Sequence, residues 1–135
     1  MDSIEKTEKA ERVVGRISLD VTESDIENIV VSSFEGGSNY WMGLDNTGEK
    51  WNSRPKCEPL SMWAVKILLE GGSVELYDIE DEDEDKRFTL TLEGLVKGIE
   101  LNAIERPFAA NKEQWDAGDA DCILQYALFG KVVFG

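Results

Sequence analysis

Six consecutive acids, Glu80, Asp81, Glu82, Asp83, Glu84 and Asp85, are the densest group of chemistry-bearing side chains in this sequence. Alternating carboxylates could ligate a hard cation such as calcium. An EF-hand loop also needs a glycine at its sixth position and a glutamate at its twelfth. Counted from Asp81, the sixth position is Lys86. The run therefore reads as an acidic surface at a solvated turn, and no metal site is assigned. Asp116, Asp119 and Asp121 form a second acidic group. Asp119 as a helix N-cap and Asp121 in the first turn are accounted for by the helix dipole. Paired carboxylates can hydrolyse glycosidic bonds. With 28 acids in 135 residues, though, two neighbouring carboxylates carry little information.

Histidine is absent. That removes Ser-His and Cys-His nucleophile pairs and most zinc hydrolases. No Gly-rich loop leads into Lys-Ser or Lys-Thr, so there is no P-loop. Of the two cysteines, Cys122 lies in an apolar helical pattern and reads as a small buried hydrophobe. Cys57 lies between Lys56 and Glu58 without a base to activate it. The chemistry points to a non-enzymatic protein with no cofactor.

Aromatic and arginine side chains are the better candidates for recognition. Glu35-Gly36-Gly37-Ser38-Asn39-Tyr40-Trp41 places two large rings directly after a glycine pair. Trp51 and Trp115 lie in polar stretches with Arg54 and Arg106. Such tryptophans either cap the edge of a core or anchor an interface, and arginine stacks on rings and meets phosphate. The candidate binding residues are Asn39, Tyr40, Trp51, Arg54, Arg106 and Trp115. The glycine pair beside Tyr40 and Trp41 suits a close backbone approach, within a core corner or across a homodimer.

These residues need elements to hold them. Residues 1–12 are charged and read as a flexible segment, with one domain over 13–135. Val13 to Val21 alternates through Ile17, Leu19 and Val21, the pattern of a half-buried strand. Ser24 with Glu27 makes a capping box for a helix carrying Ile26, Ile29, Val30, Ser33 and Phe34. Gly36 and Gly37 would stop it in a left-handed cap. No core element is evident directly after Trp41, and Asp45 to Pro59 reads as a long loop. Leu60 to Glu70 forms a second helix on Leu60, Trp63, Ala64, Ile67 and Leu68, entered through Pro59. Val74, Leu76 and Ile79, then Phe88 and Leu90, form a hairpin with the acidic run at its tip. Thr91 caps a third helix on Leu92, Leu95, Val96, Ile99 and Ala103, weakened by Gly94 and Gly98. Asp119 caps a fourth, with Ile123, Tyr126 and Ala127 inward, and Val132 to Phe134 adds a last strand. The predicted class is α+β: a small mixed or antiparallel sheet packed by about four helices.

The net charge is −14 and 41% of residues are hydrophobic, a composition that folds. Such acidity disfavours nucleic acid and anionic membrane as direct partners and favours basic protein surfaces. No apolar stretch is long enough to span a bilayer, and the first residues lack a signal-peptide pattern. A reducing, cytosolic setting follows.

Leu19-Asp20-Val21-Thr22-Glu23-Ser24-Asp25-Ile26 leading into Glu35 to Trp41, together with Ala120 to Gly130, resembles a small acidic family of bacteriophages and prophages of Gram-positive hosts. Leu76-Tyr77-Asp78 and Leu90-Thr91-Leu92-Glu93 fit its middle. The likeness spans most of residues 17–135, least over Gly43 to Pro59 and Arg106 to Ala117. It implies a phage product acting in the cytoplasm of a bacterial host, and it assigns no residue a role. Two signatures so far apart suggest packing through Phe34, Trp41, Tyr126 and Phe129. The leading functional expectation is an inhibitor of a host system, such as an immune effector with a basic nucleic-acid groove. The alternatives are a sponge for a nucleotide ligand, on Arg54, Arg106, Tyr40 and Trp51, and an acid-only metal enzyme.

Overall fold

A computed structural model describes residues 11–81, 83 and 85–135. Helix α1 spans Glu23–Ser32 and runs on into a wide turn over Ser33–Gly37. Strand β1 (Met42–Asp45), a single helical turn α2 (Glu49–Asn52) and helix α3 (Leu60–Leu69) follow. Strands β2 (Ser73–Asp78) and β3 (Arg87–Thr91) lead into helix α4 (Leu92–Glu105). Two short 3₁₀ turns then precede helix α5 (Ala117–Phe129). The class is α+β: five helices and a three-stranded antiparallel sheet in the order β1-β2-β3 among the described residues.

The period-2 pattern positions the sheet. Val74, Leu76 and Asp78 point inward from β2, where Leu76 stands opposite Leu44 of β1 and Phe88 of β3. Ser73, Glu75 and Tyr77 face outward, and Arg87 lies over the Tyr77 ring and pairs with Asp45. The hairpin carries the acidic run at its turn, as the sequence pattern implied. Within that turn the Asp81 carboxylate accepts the backbone N–H groups of Asp85 and Lys86. Glu82 and Glu84 lie outside the described residues. Helices α1, α3, α4 and α5 close over the inner face on Ile26, Ile29, Val30, Ala64, Leu68, Leu95, Ile123 and Leu124.

Several local expectations are corrected. Val13 to Val21 is not a strand: among the described residues no strand pairs with it, and its apolar side chains are exposed, Ile17 at 90%. Alternation supplies a face, but backbone ordering needs a paired neighbour. Val132 to Phe134 forms no strand either. Conversely β1 arises directly after Trp41, where no core element was evident. Only four residues long, it carries too short an alternation to stand out. The α1 capping box is Thr22 with Asp25, not Ser24 with Glu27. The α5 box is Asp116 with Asp119, so Asp119 sits at the third position instead of the cap.

Glycines divide by function. Gly130 takes a left-handed φ of 74° and ends α5, as expected. Gly36 and Gly37 do not adopt left-handed angles. The chain widens there instead, with Ser38 N–H bonding Ser33 C=O at 2.8 Å across five residues. Gly37 is needed for space, since a Cβ would lie 2.1 Å from the Ala117 carbonyl oxygen. Gly98 likewise admits α5, whose Ile123 carbonyl oxygen would sit 2.6 Å from a Cβ. The glycine predicted to weaken α4 is its contact point. No described helix is long and apolar enough to cross a membrane.

Candidate functional site

The largest convergence of polar side chains centres on Asp121, in the second turn of α5. It was expected in the first turn, serving the helix dipole. Instead it is 6% exposed and joins α5 to the turn after α1. Ser38 Oγ and Trp41 Nε1 donate to its Oδ1 at 2.7 and 2.8 Å. Tyr40 Oη and Gln125 Nε2 donate to its Oδ2 at 2.7 and 3.1 Å. Ser38 is brought within reach by the wide turn Ser33–Gly37, and Gly37 allows that turn to rest on Ala117. Gln125 lies one helical turn beyond Asp121 on the same face.

Gln125 extends the network. Its Oε1 accepts the backbone N–H groups of Val133 and Phe134 at 2.7 and 2.8 Å, and its Nε2 donates to the Phe134 carbonyl. One side-chain amide thus does what a neighbouring strand would do for residues 133–134. The Phe134 ring stacks on Trp41 at 4.6 Å and 5°. Phe129 and Phe88 complete an aromatic cluster, with Phe129 5.6 Å from Trp41 and 4.8 Å from Phe88.

Four donors saturate the acceptor capacity of a carboxylate. No buried side-chain polar atom among the described residues lacks a partner. Asp121 therefore presents no free lone pair to a substrate, and the cluster acts as a structural hub. Tyr40 shows the same bias. Its ring is 47% exposed, but its hydroxyl meets the buried Asp121 and Gln125. Burial of the hydroxyl end, then the Asp121 carboxylate beside it, pushes its pKa up to about 12. Burial likewise raises the Cys122 thiol, which disfavours the nucleophilic thiolate.

The remaining candidates are dispersed. Trp51, read either as a ring capping the core's edge or as an interface anchor, takes the first role: it is 8% exposed because the turn α2 tips it into the core. Trp115 packs partly on the core and donates Nε1 to the Ala109 carbonyl at 2.9 Å. Arg54 donates to the Glu58 carbonyl in its own loop. Arg106 bonds Asn102, pairs with Asp119 at 3.2 Å and lies over the Phe108 ring. Arg54 and Trp51 share one backbone bond, Arg54 N–H to the Trp51 carbonyl at 3.2 Å, but among the described residues no side-chain hydrogen bond or ring contact joins any two of Tyr40, Trp51, Arg54 and Arg106. The nucleotide pocket expected from them is not assembled, since each arginine is held by its own neighbours. Asn39 stands exposed beside an open groove of about 410 Å³ lined also by Phe34, Glu35, Met42, Leu44, Leu60 and Ser61. Among the described residues no three His, Cys, Asp or Glu side chains gather as a metal site.

The two sequence signatures do meet, through Trp41 and Phe129. Trp41 is wholly buried within one chain, so it forms a core corner, while Tyr40 stays 47% exposed. Ser38, Asp121 and Gln125 were missed as site residues. The available signal was Asp121 and Gln125 at a spacing of four on an otherwise apolar helix. Compared with known protein families, curated proteins and solved structures, the chain matches none.

Proposed function

We propose that this protein is a non-enzymatic, phage-encoded interaction protein acting in the cytoplasm of a bacterial host. Its acidic surface opposes a basic nucleic-acid groove on a host protein, in the manner of an inhibitor of a CRISPR effector or another immune system. The observation that carries this reading is the surplus of uncompensated acid. The chain holds 28 acids, and four ion pairs form among the described residues. Fields of one sign steer a partner of the opposite sign and raise its association rate. The buried polar cluster at Asp121 is consumed by hydrogen bonds, which leaves the surface as the working part. The resemblance to small phage proteins supplies the host setting.

The test is capture from nuclease-treated host lysate on the immobilised protein. Alongside runs a variant with Glu80, Glu82 and Glu84 changed to Gln and Asp81, Asp83 and Asp85 changed to Asn. The reading expects a basic nucleic-acid-binding protein retained by the native chain, released by added DNA or RNA, and lost by the variant. Capture of nothing, or capture indifferent to nucleic acid and to the six substitutions, removes it.

A further inference from the structure

Two unpartnered features of the fold match each other. The first is the segment before α1. Val13, Val14, Ile17, Leu19 and Val21 are exposed. Among the described residues, the only hydrogen bond from another element to residues 11–21 is Lys112 Nζ to the Asp20 carbonyl, at 2.8 Å. Ile17, Leu19 and Val21 nevertheless alternate with Ser18 and Asp20 as a strand with one apolar face.

The second feature is the outer side of β1. This strand pairs only with β2, and Gly43–Asp45 make no other backbone hydrogen bond among the described residues. An edge strand of this kind is a template for strand addition. Beside it lies the groove lined by Phe34, Met42, Leu44 and Leu60, with Glu35 and Asn39 exposed along it.

The arm cannot seat Ile17 and Leu19 together in its own groove. Thr22 caps the start of α1, while Phe34 and Glu35 stand beyond its other end. Twelve residues at the helical rise place them roughly 18 Å apart. Leu19 lies three residues before Thr22, and extended chain carries it only about 10 Å. Val21 reaches less. Charge points to the same occupant. Residues 12–21 hold two basic side chains, Arg12 and Arg16, against one acid, Asp20, in a chain of net charge −14. Glu35 lies at the groove and Asp45 ends β1.

We infer that the Val13–Val21 arm of one copy adds as a strand to β1 of a second copy, with Ile17 and Leu19 seated in its groove. Backbone hydrogen bonds supply the pairing and the alternate side chains supply the fit. The exchange is reciprocal, so the contact is isologous and closes as a two-fold dimer. It is separate from Tyr40-Trp41 and does not depend on the proposed host partner.

Light scattering coupled to gel filtration, on the full chain across micromolar concentrations, decides it. The expected mass is twice the 15.1 kDa of one chain. Ile17→Asp combined with Leu19→Asp removes the arm's apolar face and should weaken association at least roughly 100-fold. Leu60→Glu closes the groove with the same result. Ile17, Leu19 and Leu60 are exposed, so unchanged melting of each variant at low concentration shows that folding is intact. Mixing the two variants leaves one good arm and one good groove, and dimer should reappear. A native chain of single-chain mass throughout overturns the inference. So does a variant that still dimerises, or a mixture that does not associate.

Discussion

Asp121 ties two distant regions of this fold together, because three donors from residues 38–41 and one from Gln125 end on it. Asp121→Asn keeps the shape but turns an amide toward two of those donors. Unsatisfied buried donors cost about 1–3 kcal/mol each, so we expect a loss of roughly 2–4 kcal/mol in urea denaturation. Asp121→Ala should cost more. A loss within 0.5 kcal/mol for both, the range of about ±0.5 kcal/mol typical of surface changes, would show that water replaces the carboxylate. Tyr40 adds a pH dependence. Its phenol is held neutral in the fold, near 12, against an ordinary value of 10. A raised folded pKa contributes stability that is present below the unfolded value and is lost as pH rises through the folded one. Urea midpoints should therefore fall between pH 10 and 12, and Tyr40→Phe should fall less over that window. Equal slopes in the two proteins would discard the link. The sequence offered only the spacing of Asp121 and Gln125 as a signal. An aspartate early in a helix has a sufficient local explanation, and the Ser38 and Tyr40 that use it lie 83 and 81 residues away.

At the scale of elements, neighbouring glycines should behave oppositely. A Cβ on Gly36 meets nothing within 4 Å, whereas one on Gly37 meets the Ala117 backbone at 2.1 Å. Gly36→Ala should be neutral or stabilise by up to about 1 kcal/mol, through lower entropy of the unfolded chain. Gly37→Ala must separate the turn from α5 and should cost about 1–3 kcal/mol, as overpacking does. Thermal melts of the pair check both signs. Equal effects would mean that the turn relaxes freely. The helices themselves were legible, since α1, α3, α4 and α5 each repeat apolar residues at helical spacing for ten residues or more. Their caps were read less well. Thr22, Ser24 and Asp25 all suit the role, and only the entering chain direction chooses Thr22. The arm at Val13–Val21 was misread for a related reason, because its alternation is that of a strand and no described strand pairs with it.

For the whole molecule the surplus of acid sets a cost in self-repulsion. Salt screens it, since the Debye length falls from about 30 Å at 0.01 M to about 3 Å at 1 M. Raising NaCl across that range should stabilise the protein by on the order of 1 kcal/mol, or about 3–6 °C in Tm. The variant neutralised at Glu80–Asp85 should start higher and gain less. A Tm that falls with salt in both would show that ion pairs such as Lys112–Asp25 outweigh the repulsion.

By itself the amino-acid sequence determined the α+β class, four helices, the acidic hairpin and the absence of histidine chemistry. Those are properties of composition and short-range periodicity, which each segment carries within its own few turns. Tertiary structure decided where polar groups end. It buried Asp121 and Trp51, set Arg54 and Arg106 against their own neighbours, turned Gly37 and Gly98 into contact points, and left the Ile17 face open. Such outcomes depend on which elements meet across eighty residues of chain. A carboxylate becomes a hub or a surface charge according to what packs over it, and no local pattern encodes that.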